Sequence, residues 1–212
     1  MSAGKTNLGN FFEDFCVGQI LQHATPRTIT LGDVAVYNSL YCPRFAVQSS
    51  DEFARAVGYP RSPVDDLIVF HTVFGKTVAD ISRNAVANLG YAECRFLAPV
   101  YPGDTLTARS EVIGLRENAN RATGVVYVRS TGRNQRGEAV LEYVRWVMVR
   151  KRDPEAPAPA PVLPTLAERG IPRRSAGPCR GSPPPATTLR SPAHRTAGAT
   201  TRWAKRSTTP MP

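Results

Sequence analysis

The hydrophobic positions change period once along the chain. Up to residue 84 the apolar side chains recur at three- and four-residue steps or sit in short mixed segments; from residue 86 to residue 149 they alternate with polar ones. The chain opens with Asn10-Phe11-Phe12-Glu13-Asp14-Phe15 and a turn at Val17-Gly18-Gln19. A strand is predicted over residues 20–30, interrupted by Pro26. Proline has no N–H for the ladder, so this strand belongs at an edge or a bulge. Thr30 caps a short helix in which Val34, Val36, Tyr37 and Leu40 or Tyr41 fall at helical spacing, and Pro43 stops it. Residues 49–57 predict a second short helix, with Ser49 or Ser50 as N-cap and Asp51-Glu52 where the helix dipole favours carboxylates.

The most apolar helical stretch is Val64 to Ile81, with Leu67, Ile68, Phe70, Val73, Phe74, Val78 and Ile81 on one wide face. Such a helix has to be buried. Asp65-Asp66 stand at its positive end. Alternation then predicts strands over 86–97, 106–114, 125–128 and 139–149, joined by Pro102-Gly103-Asp104, by the polar turn around Asn118-Ala119-Asn120, and by Gly132 to Gly137. Four strands in succession predict an antiparallel meander, whose apolar face needs a cover. The helix at 65–81 supplies it, which makes the chain α+β: an antiparallel sheet wrapped around one long buried helix.

Composition changes this picture only beyond residue 152. Of the 19 prolines, six lie in residues 1–152 and thirteen in the last 60 residues; the same division splits the net charge of +10 into +4 and +6. The positive balance is therefore mostly a property of the tail. No run of about 18 apolar residues exists and the start is polar, so neither a spanning helix nor a signal peptide is indicated, and a soluble cytoplasmic protein is expected. Cys16, Cys42, Cys94 and Cys179 are widely spaced without neighbouring histidines. They read as free thiols rather than as a metal site or a disulfide framework, with Cys94 a small core residue on its strand. The basic residues of the body alternate with carboxylates, so no nucleic-acid-binding stripe is present.

An edge strand, small helices, one buried helix and a long antiparallel sheet together resemble the hot-dog fold. Phe15-Cys16-Val17-Gly18 with Thr28-Ile29-Thr30, and Arg95 to Leu106 with Glu111-Val112, resemble the MaoC-like enoyl-CoA hydratases over about residues 10–152. More narrowly, Phe45 to Asp51, Asp65 to His71, Phe74 to Val78 and Asn84 to Tyr91 resemble the first half of the mesaconyl-CoA hydratase family. The resemblance implies reversible addition of water across the double bond of a CoA thioester, with no metal or redox cofactor. That chemistry needs a carboxylate and an imidazole to move protons to and from one water, and N–H donors at the thioester carbonyl. MaoC-like hydratases carry the pair on an Asp-x-Asn-Pro-x-His loop. The corresponding stretch here reads Tyr41-Cys42-Pro43-Arg44-Phe45-Ala46-Val47-Gln48, with neither. The resemblance is thus to a non-catalytic first repeat that shapes an acyl-CoA pocket, over residues 7–152.

Few residues stand in for the missing pair. Asp66 and His71 are candidate catalytic groups, but five positions place them about 140° apart around a helix. The simpler reading of His71 is a core or interface histidine with a hydrogen-bond partner, and that of Asp66 a helix-start charge. Arg44 and Arg61 are either solvated or ligands for CoA phosphates. Tyr41 and Gln48 either line the acyl pocket or pack the loop, and Asn88 on its apolar strand is a groove residue if buried. The rival functions are a hot-dog thioesterase, using Asp66 or Gln48 to place water, and a non-catalytic acyl-CoA-binding or partner module. The resemblance also implies a homodimer or pairing with a second hot-dog repeat.

Residues 153–168 read as a stiff Pro/Ala-rich linker. Residues 169–212 have no acidic residue and no hydrophobic period, and read as disordered. Residues 194–209 admit a back-translation whose shifted frame contains an aromatic-x-Val-Gly turn like that at Phe15 to Gly18, which makes the tail a candidate out-of-frame translation of a second repeat.

Overall fold

The structure, a computed structural model, describes residues 8–43 and 45–167; Arg44 and the basic tail lie outside the described residues. A 3-10 turn at Phe12–Asp14 leads into β1 (Ile20–Thr28), α1 (Leu31–Tyr41), α2 (Ala46–Ser49) and α3 (Asp51–Ala56). The central helix α4 (Asp66–Thr77) runs on into a π turn at Val78–Ser82, followed by β2 (Ala85–Phe96), β3 (Thr105–Glu117), β4 (Thr123–Arg133) and β5 (Ala139–Arg150). Capping is as the sequence predicts: the Thr30 hydroxyl accepts from Asp33 N–H at 3.2 Å while Asp33 accepts from Thr30 N–H at 2.9 Å, and Ser50 caps α3 through Phe53 N–H at 3.2 Å.

The sheet order is β1-β3-β4-β5-β2, antiparallel throughout. This corrects the simple meander. Only β3, β4 and β5 follow one another; β2 pairs with β5 at one edge, and β1 takes the place beside β3. The reason lies in residues 97–104, which form a crossing rather than a hairpin. Val64 N–H donates to Val100 O at 2.7 Å, tying the crossing to the lead-in of α4. Gly103 N–H donates to Ile29 O at 2.7 Å and Ile29 N–H to Asp104 O at 2.9 Å, which delivers β3 to the end of β1. Pro26 lies where predicted, in an edge strand whose register shifts between His23 and Arg27.

Ile68, Val69, Thr72, Val73 and Thr77 of α4 are buried against the sheet. The approach is tight at Gly132, where a Cβ would come within 2.5 Å of Val73 Cγ2. The core divides into two apolar clusters. One holds Ile68, Val69, Val73, Leu106, Ala108, Leu141 and Tyr143; the other holds Ile81, Val112, Leu115, Val126, Val128, Val147 and Val149. On each element a buried polar residue separates them: Thr77 after α4's apolar turns, Ser110 on β3, Ser130 on β4 and Arg145 on β5. Each fully buried Val or Leu in these clusters contributes roughly 1.5–3 kcal/mol of transfer free energy, whereas the polar layer is stable only through the bonds it forms internally.

Cys94 is exposed, not a core residue. It lies on the outer edge strand where Glu93 takes φ +52° and the β2–β5 register slips between Ala92 and Arg95, so that end of β2 is not covered. The proline-rich segment after β5 lies against the domain. Lys151 Nζ, with its side chain wholly buried, donates to Glu117 at 2.7 Å and to the carbonyls of Pro154 and Ala156 at 3.1 and 2.8 Å. Val162 and Leu115 exchange backbone hydrogen bonds at 2.8 and 2.9 Å, filling the edge of β3 that β1 leaves free beyond Glu111. No helix among the described residues is long and apolar enough to cross a membrane.

Candidate active site

Several cavities open around the small helices among the described residues, and three of them hold residues singled out in the sequence. The first, of about 470 Å3, lies at the N-terminus of α4 and is lined by Tyr41, Cys42, Gln48, Asp65, Asp66 and Phe96 among others. The second, of about 450 Å3, lies between α1 and α4 and is lined by Arg27, Asp33, His71 and Thr72. Tyr37 and Tyr41, whose rings lie 4.7 Å apart, line both. The third, of about 310 Å3, is lined by Asn38, Gln48, Asp51, Arg61 and Ser62.

The structure thus brings Tyr41, Gln48 and Asp66 together in the first cavity, Tyr41 with His71 in the second and Gln48 with Arg61 in the third, while Asn88 lines none of the three and Arg44 lies outside the described residues. Gln48, on α2, is 8% exposed, and its Oε1 accepts no hydrogen bond from the described residues. Asp65 spends its carboxylate on the helix, accepting from Leu67 N–H at 2.8 Å. The carboxyl of Asp66 is pushed above the ordinary aspartate range by partial burial and by the neighbouring charge of Asp65. Two carboxylates at this helix end would oppose negative charge developing on a thioester oxygen.

His71 is exposed and lines the second cavity between α1 and α4 rather than lying in the core, because α1 stands off from this face of α4 instead of packing on it. Arg61 lines the third cavity, but its Nη2 donates to Pro102 O at 2.8 Å and its guanidinium lies 5.5 Å from the Tyr101 ring centre. Asn88 is exposed on β2 and donates to Tyr91 Oη at 2.7 Å, away from these three cavities. Tyr41 is 67% exposed, and with Leu40, Phe45 and Leu67 it forms an apolar rim.

A carboxylate–imidazole pair does exist, at residues the sequence analysis did not single out. His23 Nδ1 and Asp80 Oδ2 are 2.6 Å apart, and His23 Nε2 and Ser110 Oγ 2.8 Å; Ser110 Oγ meets Ser130 Oγ at 2.7 Å. Burial lowers the His23 pKa against the pull of Asp80, with Arg145 acting in the same direction as burial. The neutral imidazole therefore donates from Nδ1 to Asp80 and accepts from Ser110. Close by, Arg145 is fully buried; its Nη2 donates to Thr77 and Ser82 hydroxyls at 3.0 and 3.2 Å, and its guanidinium sits 4.6 Å from the Phe74 ring centre. This row lies between the apolar clusters and lines none of the three cavities. The sequence signal for it was polar residues at inward strand positions: His23, Ser110, Ser130 and Arg145 interrupt otherwise apolar faces.

Comparison with known proteins agrees with this architecture. The mesaconyl-CoA hydratase family matches residues 2–162. A mesaconyl-CoA hydratase of Cereibacter sphaeroides is 66% identical over 163 residues, which are 77% of this chain and 48% of that protein. A solved MaoC domain dehydratase from Chloroflexus aurantiacus is 66% identical, with a TM-score of 0.76 over 78% of this chain and 47% of that one. A Mycobacterium tuberculosis protein with a double hot-dog fold is 30% identical, with a TM-score of 0.64 over 73% of this chain and 48% of that one. The chain spans about half the length of the curated relatives it matches. It has the hot-dog fold and belongs to the mesaconyl-CoA hydratase family.

Proposed function

We propose that this chain is the pocket-forming first repeat of a hydro-lyase that reversibly hydrates mesaconyl-CoA to beta-methylmalyl-CoA in the cytoplasm, and that the proton-transferring pair comes from a second hot-dog repeat. The observation that carries this reading is the composition of the cavity at the start of α4. It holds carboxylates, a carboxamide and tyrosines but no imidazole, while the Asp80–His23 pair is buried elsewhere. Hydration needs a base for water and an acid that reaches the alpha carbon, and one aspartate with no partner imidazole is a poor source of both. Metal and redox cofactors have no part in the proposed reaction.

The second repeat, or a second copy, has a surface to meet. β2 is an edge strand of 12 residues without proline, and Val86, Leu89, Tyr91 and Phe96 along it are each at least 41% exposed. An edge of that length and character is a template for another strand. The test is a titration of the purified chain with mesaconyl-CoA, followed by calorimetry and by enoyl absorbance. Binding without loss of the enoyl signal is expected; hydration by the chain alone would refute the assignment, and absence of binding would refute the pocket.

A further inference from the structure

We propose that the groove between α1 and α4 selects acyl-CoA thioesters that carry a second, free carboxylate, and that Arg27 and His71 bind that carboxylate. The inference rests on the reading above, that this chain forms an acyl-CoA pocket, and names the class of acyl group the pocket takes. A mesaconyl group keeps a carboxylate at the far end of its double bond, and moving that charge from water into a groove needs a cation to meet it. The first cavity offers none: Asp65 and Asp66 line it, and both would repel a third carboxylate. Tyr37 and Tyr41 line the first and the second cavity alike, so an acyl chain lying along these rings passes from one into the other.

The second cavity has the opposite character. Arg27, on β1, and His71, on α4, both line it and both are exposed. Asp33 lines it too, but its carboxylate is already taken up. Thr30 N–H and Thr30 Oγ donate to Asp33 Oδ2 at 2.9 and 2.8 Å, and Arg27 Nη2 donates to Oδ1 at 2.8 Å. That bond holds the guanidinium by one nitrogen and leaves Nη1 without a partner among the described residues, so Nη1 can donate to a second carboxylate.

The imidazole of His71 meets the Phe70 ring edge-on, with centres 5.8 Å apart, and forms no hydrogen bond with the described residues. It can therefore donate to a ligand from the nitrogen that carries its proton. Lys76 adds a further cation nearby: its ammonium donates to Thr25 O, and burial, then the charge of Arg27, holds its pKa below the ordinary lysine value. Gly75, one turn beyond His71, is exposed, and no atom lies within 4 Å of the place its Cβ would take. That face of α4 thus leaves the groove open, with about 450 Å3 for the end of an acyl chain.

Calorimetric titration of the full chain with mesaconyl-CoA and with tiglyl-CoA tests this, because tiglyl-CoA carries a methyl group where mesaconyl-CoA carries its free carboxylate. Mesaconyl-CoA is expected to bind about 10-fold tighter, with the gap narrowing as salt rises. Arg27→Met should weaken mesaconyl-CoA about 10-fold and His71→Leu about 5-fold, while tiglyl-CoA changes less than about 2-fold in either, and Arg27→Lys should recover part of the loss. If the variants do not fold, the affinity ratio of the unaltered chain and its salt dependence decide. Equal affinities for the two thioesters would overturn the proposal and leave the pocket standing. Equal weakening of both by Arg27→Met would assign the arginine to a CoA phosphate and overturn it as well. Binding of neither thioester would remove the pocket and this selectivity together.

Discussion

His23 shows how a single side chain couples the core to pH. Its imidazole is neutral in the fold because burial outweighs the attraction of Asp80, so its pKa lies below the ordinary value of 6.5. The unfolded chain binds a proton at this site below about pH 6.5, before the folded one does. The contribution of His23 is therefore complete above that pH and is lost as pH falls toward the folded pKa. Melting temperature should drop between about pH 8 and pH 5, and drop less in His23→Gln, which can still bond both neighbours; identical slopes for the two proteins would contradict the neutral, buried imidazole. None of this was legible from the residue alone, since His23 in the sequence is one polar position in a strand. What could have marked it is the set: Ser110, Ser130 and Arg145 also break inward-facing apolar runs.

At the scale of elements, periodicity located nearly every helix and strand, and capping residues placed α1 and α3 within a residue or two. The order of strands was not legible, because alternation says which face a strand buries and nothing about its neighbour. That information lay in residues 97–104, where Val100 is buried and Gly103-Asp104 bond to Ile29, contacts no local pattern encodes. Gly132 gives a direct test of how α4 seats on the sheet. Gly132→Val places a branched side chain against Val73 and should cost about 1–3 kcal/mol in urea unfolding; an unchanged midpoint would mean the helix does not pack there. The segment after β5 has a similar test. A chain ending at residue 152 loses the carbonyls of Pro154 and Ala156 from buried Lys151 and the Val162–Leu115 bridge, and should unfold at lower urea than one ending at residue 167. Equal midpoints would show the segment to be only a linker.

For the whole molecule, the family was legible in long strings of sequence, whereas the division of labour within the site was not. The missing Asp and His of the loop could be seen in residues 41–48, but the Asp65 cap, the buried oxygen of Gln48 and the exposure of His71 depend on how α2 and α4 meet. The half-length match also gives the tail a testable origin: sequencing the gene should find a second hot-dog repeat in a shifted frame after the proline-rich segment, and a stop codon early in that frame would exclude it. In the proposed function this chain is one half of a two-repeat hydratase. The most direct measurement is the enoyl absorbance of mesaconyl-CoA with this chain, with a separately produced second half of the Cereibacter sphaeroides relative, and with both together. Hydration only when the two are mixed is the predicted result; hydration by this chain alone at a rate the second half does not change would contradict it.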